Sequence, residues 1–310
     1  MLKIRLFGRC TLESDGAVIQ NLNCARAWEL IGYLACHRDR YLTRELVIET
    51  LWRDTQEEQG KRTLRQTLWQ VQSVLGPFQT VTGNIMADKP VIETDGEWIR
   101  LDPGSGIWID VARFEDLEKL TRLAPGESPT YVHANNLKEA VTLYRGQLME
   151  DCAANWCIRH RELLHKQYLR MLLRLMDCQR ESGDFDGAMA TALTVLFEEP
   201  ASDKAHLMIM RFYHHAGDRT SALRQFDHYK TILREEFNVP PAKALSDLNN
   251  RIREEMGLEI TGESDSKNIK KSEFEERIIA TLESIRGEIT RNREEFQKLK
   301  ESISSDKEKN

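Results

Sequence analysis

An internal repeat constrains this chain more than any other feature. Gly183-Asp184 recurs 34 residues later as Gly217-Asp218, Ala188 recurs as Ala222, and Leu175 is matched by Ile209. Pro200 closes the first unit. A 34-residue period of paired helices is the tetratricopeptide pattern, in which each unit buries its apolar face only against its neighbours. The glycine lets the chain turn between helices, and the small alanine lets them approach. From Val111 the pattern is helical almost throughout. Leu137 to Tyr144 reads as a helix of a degenerate preceding unit, off the register.

The front of the chain has a different rhythm. Lys3, Arg5 and Arg9 alternate with Ile4, Leu6 and Phe7, and Ser14-Asp15-Gly16 offers a turn before Ala17-Val18-Ile19, so residues 2–22 read as short strands. From Cys24 the period becomes helical, with Ala27, Leu30, Ile31 and Leu34 on one face. Thr43 is a good N-cap for a second helix through Leu46, Val47 and Leu51. A polar stretch, Arg53 to Gly60, leads to a third helix over Lys61 to Leu75, ended by Gly76-Pro77. Val81 to Leu101 reads as strands around turns at Thr94-Asp95-Gly96 and Asp102-Pro103-Gly104. Strands, three helices and a hairpin are the order of a winged helix-turn-helix, an order that other small α+β domains share.

The length of 310 residues suits two or three domains. No apolar run approaches the roughly 20 residues of a membrane helix, and the first residues do not read as a signal peptide. Six cysteines over this length make no disulfide framework, so a cytoplasmic location is expected. The expected divisions are 1–108 for the winged domain, 109–257 for the helical domain, 258–268 for a linker and 269–305 for a last helix. In that helix Leu282, Ile285, Ile289, Asn292, Phe296, Leu299 and Ile303 step alternately by three and four, an a/d seam that predicts a homodimeric coiled coil. The competing reading is one charged helix packed on its own chain.

Charge bears directly on partners. Lys and Arg number 44 against 50 Asp and Glu. Residues 1–110 hold 13 basic and 15 acidic side chains, so no basic domain exists and any nucleic-acid contact must come from a local patch. One such patch is visible. Gln59 to Ala87 contains no acid but holds Lys61, Arg62 and Arg65. On the third helix Leu64, Leu68, Val71 and Leu75 share the core face. At 100° per residue the opposite face presents Arg62, Gln66, Trp69, Gln70 and Ser73, with Arg65 on its flank. Arg pairs with guanine and Gln with adenine in the major groove, while Lys and Arg hold phosphates. Trp69 on such a face is either a contact surface or packs under the wing.

Other constellations are weaker. Cys152, Cys157, His160 and His165 cluster, but Cys-x4-Cys-x2-His-x4-His is no standard zinc spacing, and buried cysteines with surface histidines fit better. Arg159, Arg161, Arg170 and Arg174 would either take an acidic or phosphorylated ligand or form an ordinary charged helix exterior. His214-His215 reads as a helix end. There is no phosphate-binding glycine loop, nucleophile elbow or HExxH, so neither an enzyme nor a metal or other cofactor is indicated.

The two halves together resemble the SARP-like (antibiotic regulatory protein) family of bacterial transcriptional activators. The matching pieces are Leu6-Phe7-Gly8 and Asp15-Gly16; Ala25-Arg26-Ala27-Trp28-Glu29-Leu30; Leu51-Trp52; Leu64-Arg65-Gln66-Thr67-Leu68; Trp98-Ile99-Arg100-Leu101; Ile109 to Phe114; and Ala140 to Gly146. The resemblance implies an OmpR-type winged helix-turn-helix followed by a tetratricopeptide-like bacterial transcriptional activator domain, mainly α overall. It implies that the third helix enters the major groove of double-stranded DNA and that the wing touches the backbone. It also implies that the helical domain dimerises or contacts RNA polymerase subunits. The expected base-reading residues are Arg62, Gln66 and Gln70, and the expected phosphate contacts are Arg53, Lys61, Arg65 and Arg100. Dimerisation is expected through Leu282, Ile285, Ile289, Phe296 and Leu299. One departure stands out: the family's third helix is richer in arginine where this chain has Gln66, Gln70, Gln72 and Ser73. A regulator is therefore the first reading, and a protein–protein adaptor whose winged domain has given up DNA is the second.

Overall fold

The computed structural model describes residues 2–14, 17–19, 22, 24–53, 55–75, 91–102, 107–122 and 131–258. Leu2–Arg5 (β1) pairs antiparallel with Thr11–Ser14 (β2), which pairs with Ala17–Val18 (β3). Leu2 and Ile4 point into the core and Lys3 points out, as alternation requires. Ala25–Cys36 (α1) buries Ala27, Leu30, Ile31 and Leu34, the face read from its spacing. Leu42–Thr43 (β4) leads into Arg44–Leu51 (α2), and Thr43 Oγ1 caps that helix by accepting the Leu46 N–H at 3.2 Å.

Glu57–Leu75 (α3) starts one turn before the expected Lys61. The reason is electrostatic. Glu57 and Glu58 occupy the first turn, where the positive helix end favours acids, and Glu57 pairs with Lys61 at 2.6 Å. Ile92–Asp95 (β5) and Trp98–Leu101 (β6) form a hairpin whose turn contains Gly96 at φ +54°, and β6 also pairs with β4. The expected end of α3 at Gly76-Pro77 and the strand reading over Val81–Lys89 lie outside the described residues.

Trp108–Ile109 (β7) returns to pair parallel with β1, giving a four-stranded order β3-β2-β1-β7. Asp110–Leu120 (α4), Tyr131–Leu143 (α5), Asn155–Glu181 (α6), Phe185–Glu198 (α7), Asp203–His215 (α8), Arg219–Ile232 (α9) and Lys243–Glu255 (α10) follow. The repeat maps onto α6–α7 and α8–α9. Gly183 and Gly217 take left-handed backbone at φ +79° and +78°, and Ala188 and Ala222 are fully buried. The aspartates matter as much as the glycines: Asp184 and Asp218 cap α7 and α9 by accepting the Gly187 and Ser221 N–H groups at 3.0 Å. After α9, a π turn over Leu233–Phe237 ends at Asn238 in the left-handed region.

The boundary expected at residue 108 crosses continuous packing. One apolar cluster runs from Leu2 in β1 to Ile209 in α8. Asp110, buried at the start of α4, accepts the main-chain N–H groups of Leu6, Phe7 and Val111. Phe7 packs edge-on to Phe114, and Tyr33 of α1 packs against Trp156 of α6. The nearly buried Arg38 reaches Glu115 at 2.5 Å. A Cβ on Gly32 of α1 would collide with the Met149 thioether, so the Met149 side chain packs directly on the α1 backbone. Residues Met1–Leu258 make one compact unit. The seam residues Leu282, Ile285, Ile289, Phe296 and Leu299, with the expected coiled coil and nearly all of its linker, lie outside the described residues.

Candidate nucleic-acid interface

The geometry of the helix-turn-helix comes from close contacts at its two ends. At the start of α2, the Arg44 N–H donates to Glu97 O and its Nε donates to Gly96 O, both at 2.8 Å, which ties the helix to the wing turn. At the start of α3, a Cβ on Gly60 would lie 2.5 Å from Ile48 Cγ2, so only glycine lets α3 approach α2 this closely. Along α3, Leu64, Thr67, Leu68, Val71 and Leu75 are buried.

The opposite face is open. Arg62, Arg65, Gln66, Trp69 and Ser73 are exposed, and Gln70 is half-buried. Arg62, Gln66, Trp69 and Ser73 follow one another by four, three and four residues, which places them along one line of the helix. Trp69 is 69% exposed, so it does not pack under the wing. Lys61 is held by Glu57, whose carboxylate raises the lysine's pKa through their hydrogen bond. Arg53 is exposed just after α2.

Arg100 has internal partners. It pairs with Glu93 at 2.7 Å across the hairpin, and its guanidinium lies 4.3 Å from the centre of the Tyr41 ring. Tyr41 donates its hydroxyl to the same Glu93 at 3.1 Å. The expected phosphate ligand on the wing is thus already matched to a carboxylate, a pairing that the β5–β6 register creates by setting Glu93 opposite Arg100.

The other clusters serve the fold. Arg161 donates to the main-chain carbonyls of Leu148, Met149 and Cys152, which fixes the segment before α6. Arg170 and Arg174, with Arg122 just after α4, surround the buried carboxylate of Glu118, so these α6 arginines face an acid of their own chain. Arg159 is exposed. Cys152 and Cys157 are buried, and Cys157 Sγ donates to Leu148 O at 3.6 Å; the interaction between the two thiols lowers the Cys152 pKa and raises that of Cys157. His160 and His165 are half-buried, His160 on Trp156 O at 2.9 Å and His165 at 3.7 Å from Glu198. Tyr144, Glu150, His165 and Glu198 help line a polar cleft of about 450 Å³. Among the described residues, no three His, Cys, Asp or Glu side chains converge as metal ligands would, and no helix is long and apolar enough to cross a membrane. His214 ends α8, as expected, and reaches Glu255 at 2.9 Å.

A winged helix-turn-helix fold is packed directly onto a tetratricopeptide-like helical array. Residues 109–253 match the family model of the bacterial transcriptional activator domain. The chain is 21% identical over 224 residues to the regulatory protein AfsR of Streptomyces coelicolor, an alignment covering 72% of this chain but only 21% of that protein. It therefore spans about a fifth of the length of the curated relative it matches. Mycobacterium tuberculosis EmbR, solved in complex with a low-affinity phosphopeptide, superposes with a TM-score of 0.64 at 16% identity, covering 84% of this chain and 66% of that one. That likeness concerns the fold. Residues 109–253 therefore form a domain of the bacterial transcriptional activator type, and the chain as a whole is similar to SARP-like regulators.

Proposed function

We propose that this protein is a sequence-specific double-stranded DNA-binding regulator of transcription, working as an activator, with α3 lying in the major groove. The observation that carries this reading is the outer face of α3: exposed, acid-free from Gln59 onward, and presenting Arg62 and Gln66 along one line. Arg62, Gln66 and Gln70 read bases. Arg53 and Arg65 hold phosphates, whereas Lys61 and Arg100 do so only by leaving Glu57 and Glu93. Residues 109–257 act as the partner-contacting domain toward RNA polymerase subunits, and residues 269–305 dimerise the protein. No cofactor or catalytic step enters this role, and its setting is the bacterial cytoplasm.

Selection of the full-length protein on a random-sequence DNA pool at two salt concentrations tests the reading. The expected result is an enriched paired or repeated motif whose recovery falls with salt. No enrichment at low salt would transfer the assignment to a protein–protein adaptor. That second reading draws on the two cations that the winged domain neutralises with its own acids.

A further inference from the structure

The line of α3 side chains facing away from the core has one member that hydrogen bonding to bases does not explain. Arg62, Gln66 and Ser73 carry donors and acceptors suited to base edges and phosphates, but Trp69, between Gln66 and Ser73, presents an indole that is 69% exposed. Packing does not require it there, since α3 already buries Leu64, Leu68, Val71 and Leu75 on the other side. The face around it is basic, with Arg65 one turn before it and Arg62 on the same line, and its first acid lies at Glu58, eleven residues earlier. Such a surface complements a polyanion rather than an apolar protein groove. On the floor of the major groove the chief apolar feature is the C5-methyl group of thymine.

We propose that Trp69 is a specificity-determining residue that selects thymine by packing its indole against the C5-methyl group. The proposal rests on α3 entering the major groove. Trp69 stands about 4.5 Å further along the helix axis than Gln66, close to one base-pair step of about 3.4 Å. The selected thymine therefore lies within a base pair or two of the adenine that Gln66 reads. Burying one methyl group changes affinity by about fourfold.

The test uses the full-length protein and the DNA motif it enriches. Each thymine of that motif is replaced in turn by deoxyuridine, which removes the methyl group and leaves the pairing edge intact, and the binding of the wild type, Trp69→Ala and Trp69→Phe is measured. The wild type should lose about fourfold at one thymine within each half-site. Trp69→Ala should bind the thymine and uracil forms equally at that position, and Trp69→Phe should retain part of the difference. Equal wild-type binding to both forms at every position overturns the proposal while leaving DNA recognition standing, and so does an undiminished difference in Trp69→Ala. Failure of the wild type to enrich any DNA overturns both. Circular dichroism of the variants checks that exposed Trp69 is dispensable for folding.

Discussion

The Asp110 carboxylate accepts the Leu6 main-chain N–H at 2.9 Å on each of its two oxygens, across 104 residues of sequence. Burial pushes this carboxyl's pKa up, and the N–H donors of Phe7, Leu6 and Val111 oppose that shift. The same side chain therefore starts α4 and holds the loop after β1. Asp110→Ala should leave these buried N–H groups without an acceptor and cost roughly 3 kcal/mol or more, read by urea denaturation. A loss below about 1 kcal/mol would show that water replaces the carboxylate freely.

The two wing and helix cations should separate in their salt dependence. Each phosphate contact contributes a slope of about −0.9 in log K against log salt. Arg65→Ala should remove about one such contact per protomer. Arg100→Ala should change the slope much less, because Glu93 already compensates that charge at 2.7 Å. Arg62→Ala should instead abolish sequence preference while the fold stays intact, and unchanged site selection by that variant would remove it from the base-reading set. Equal slopes for the Arg65 and Arg100 variants would assign the wing to the DNA backbone on the same footing as α3.

Gly60→Ala gives a prediction of sign. In an exposed helix this change usually stabilises, by up to about 1 kcal/mol. Here the new Cβ would meet Ile48 Cγ2 at 2.5 Å and Thr55 Oγ1 at 3.3 Å, so the variant should be less stable than the wild type. DNA affinity should fall with it, since α3 can accommodate the methyl only by shifting on α2. A gain in melting temperature would contradict this packing.

His206 sets a pH dependence in the helical array. Its Nε2–H donates to Pro200 O at 2.8 Å, and its Nδ1 accepts from Gln225 Nε2 at 2.7 Å, an arrangement satisfied only by the neutral ring. Burial lowers its pKa from the usual 6.5 to about 4, with His228 nearby adding to the effect and Asp203 opposing it. The unfolded chain therefore binds the proton first as pH falls. Stability from this group is complete above about pH 6.5 and declines progressively toward pH 4, by roughly 3 kcal/mol in all. Unfolding free energies at pH 7.5, 6 and 5 should show the decline, and His206→Gln should flatten it. The same slope in that variant would point to His37, whose pKa burial also lowers.

Much of this fold is legible in local sequence, because its signals are local. The 34-residue spacing of Gly183 and Gly217 marks α6–α9, Thr43 marks the start of α2, and the apolar spacing of Leu64, Leu68, Val71 and Leu75 orients α3. The candidate interface follows from the same orientation. Long-range pairing hides the rest. Asp110 looks like any acid in a first helical turn, and nothing near it in sequence announces Leu6. Arg100 looks like a free wing cation until the hairpin register sets Glu93 opposite it. Gly60 looks like part of a polar connection because its constraint is a side chain on another helix. Arg170 and Arg174 look ready for an acidic ligand because Glu118 sits on α4, far away in sequence.

The shared core between β1 and α8 also determines how a load would travel. With Phe7 against Phe114, Arg38 against Glu115 and Gly32 against Met149, α3 and the helical array belong to one packed body among the described residues. A partner that grips the array thereby aims α3, as a handle turns a key.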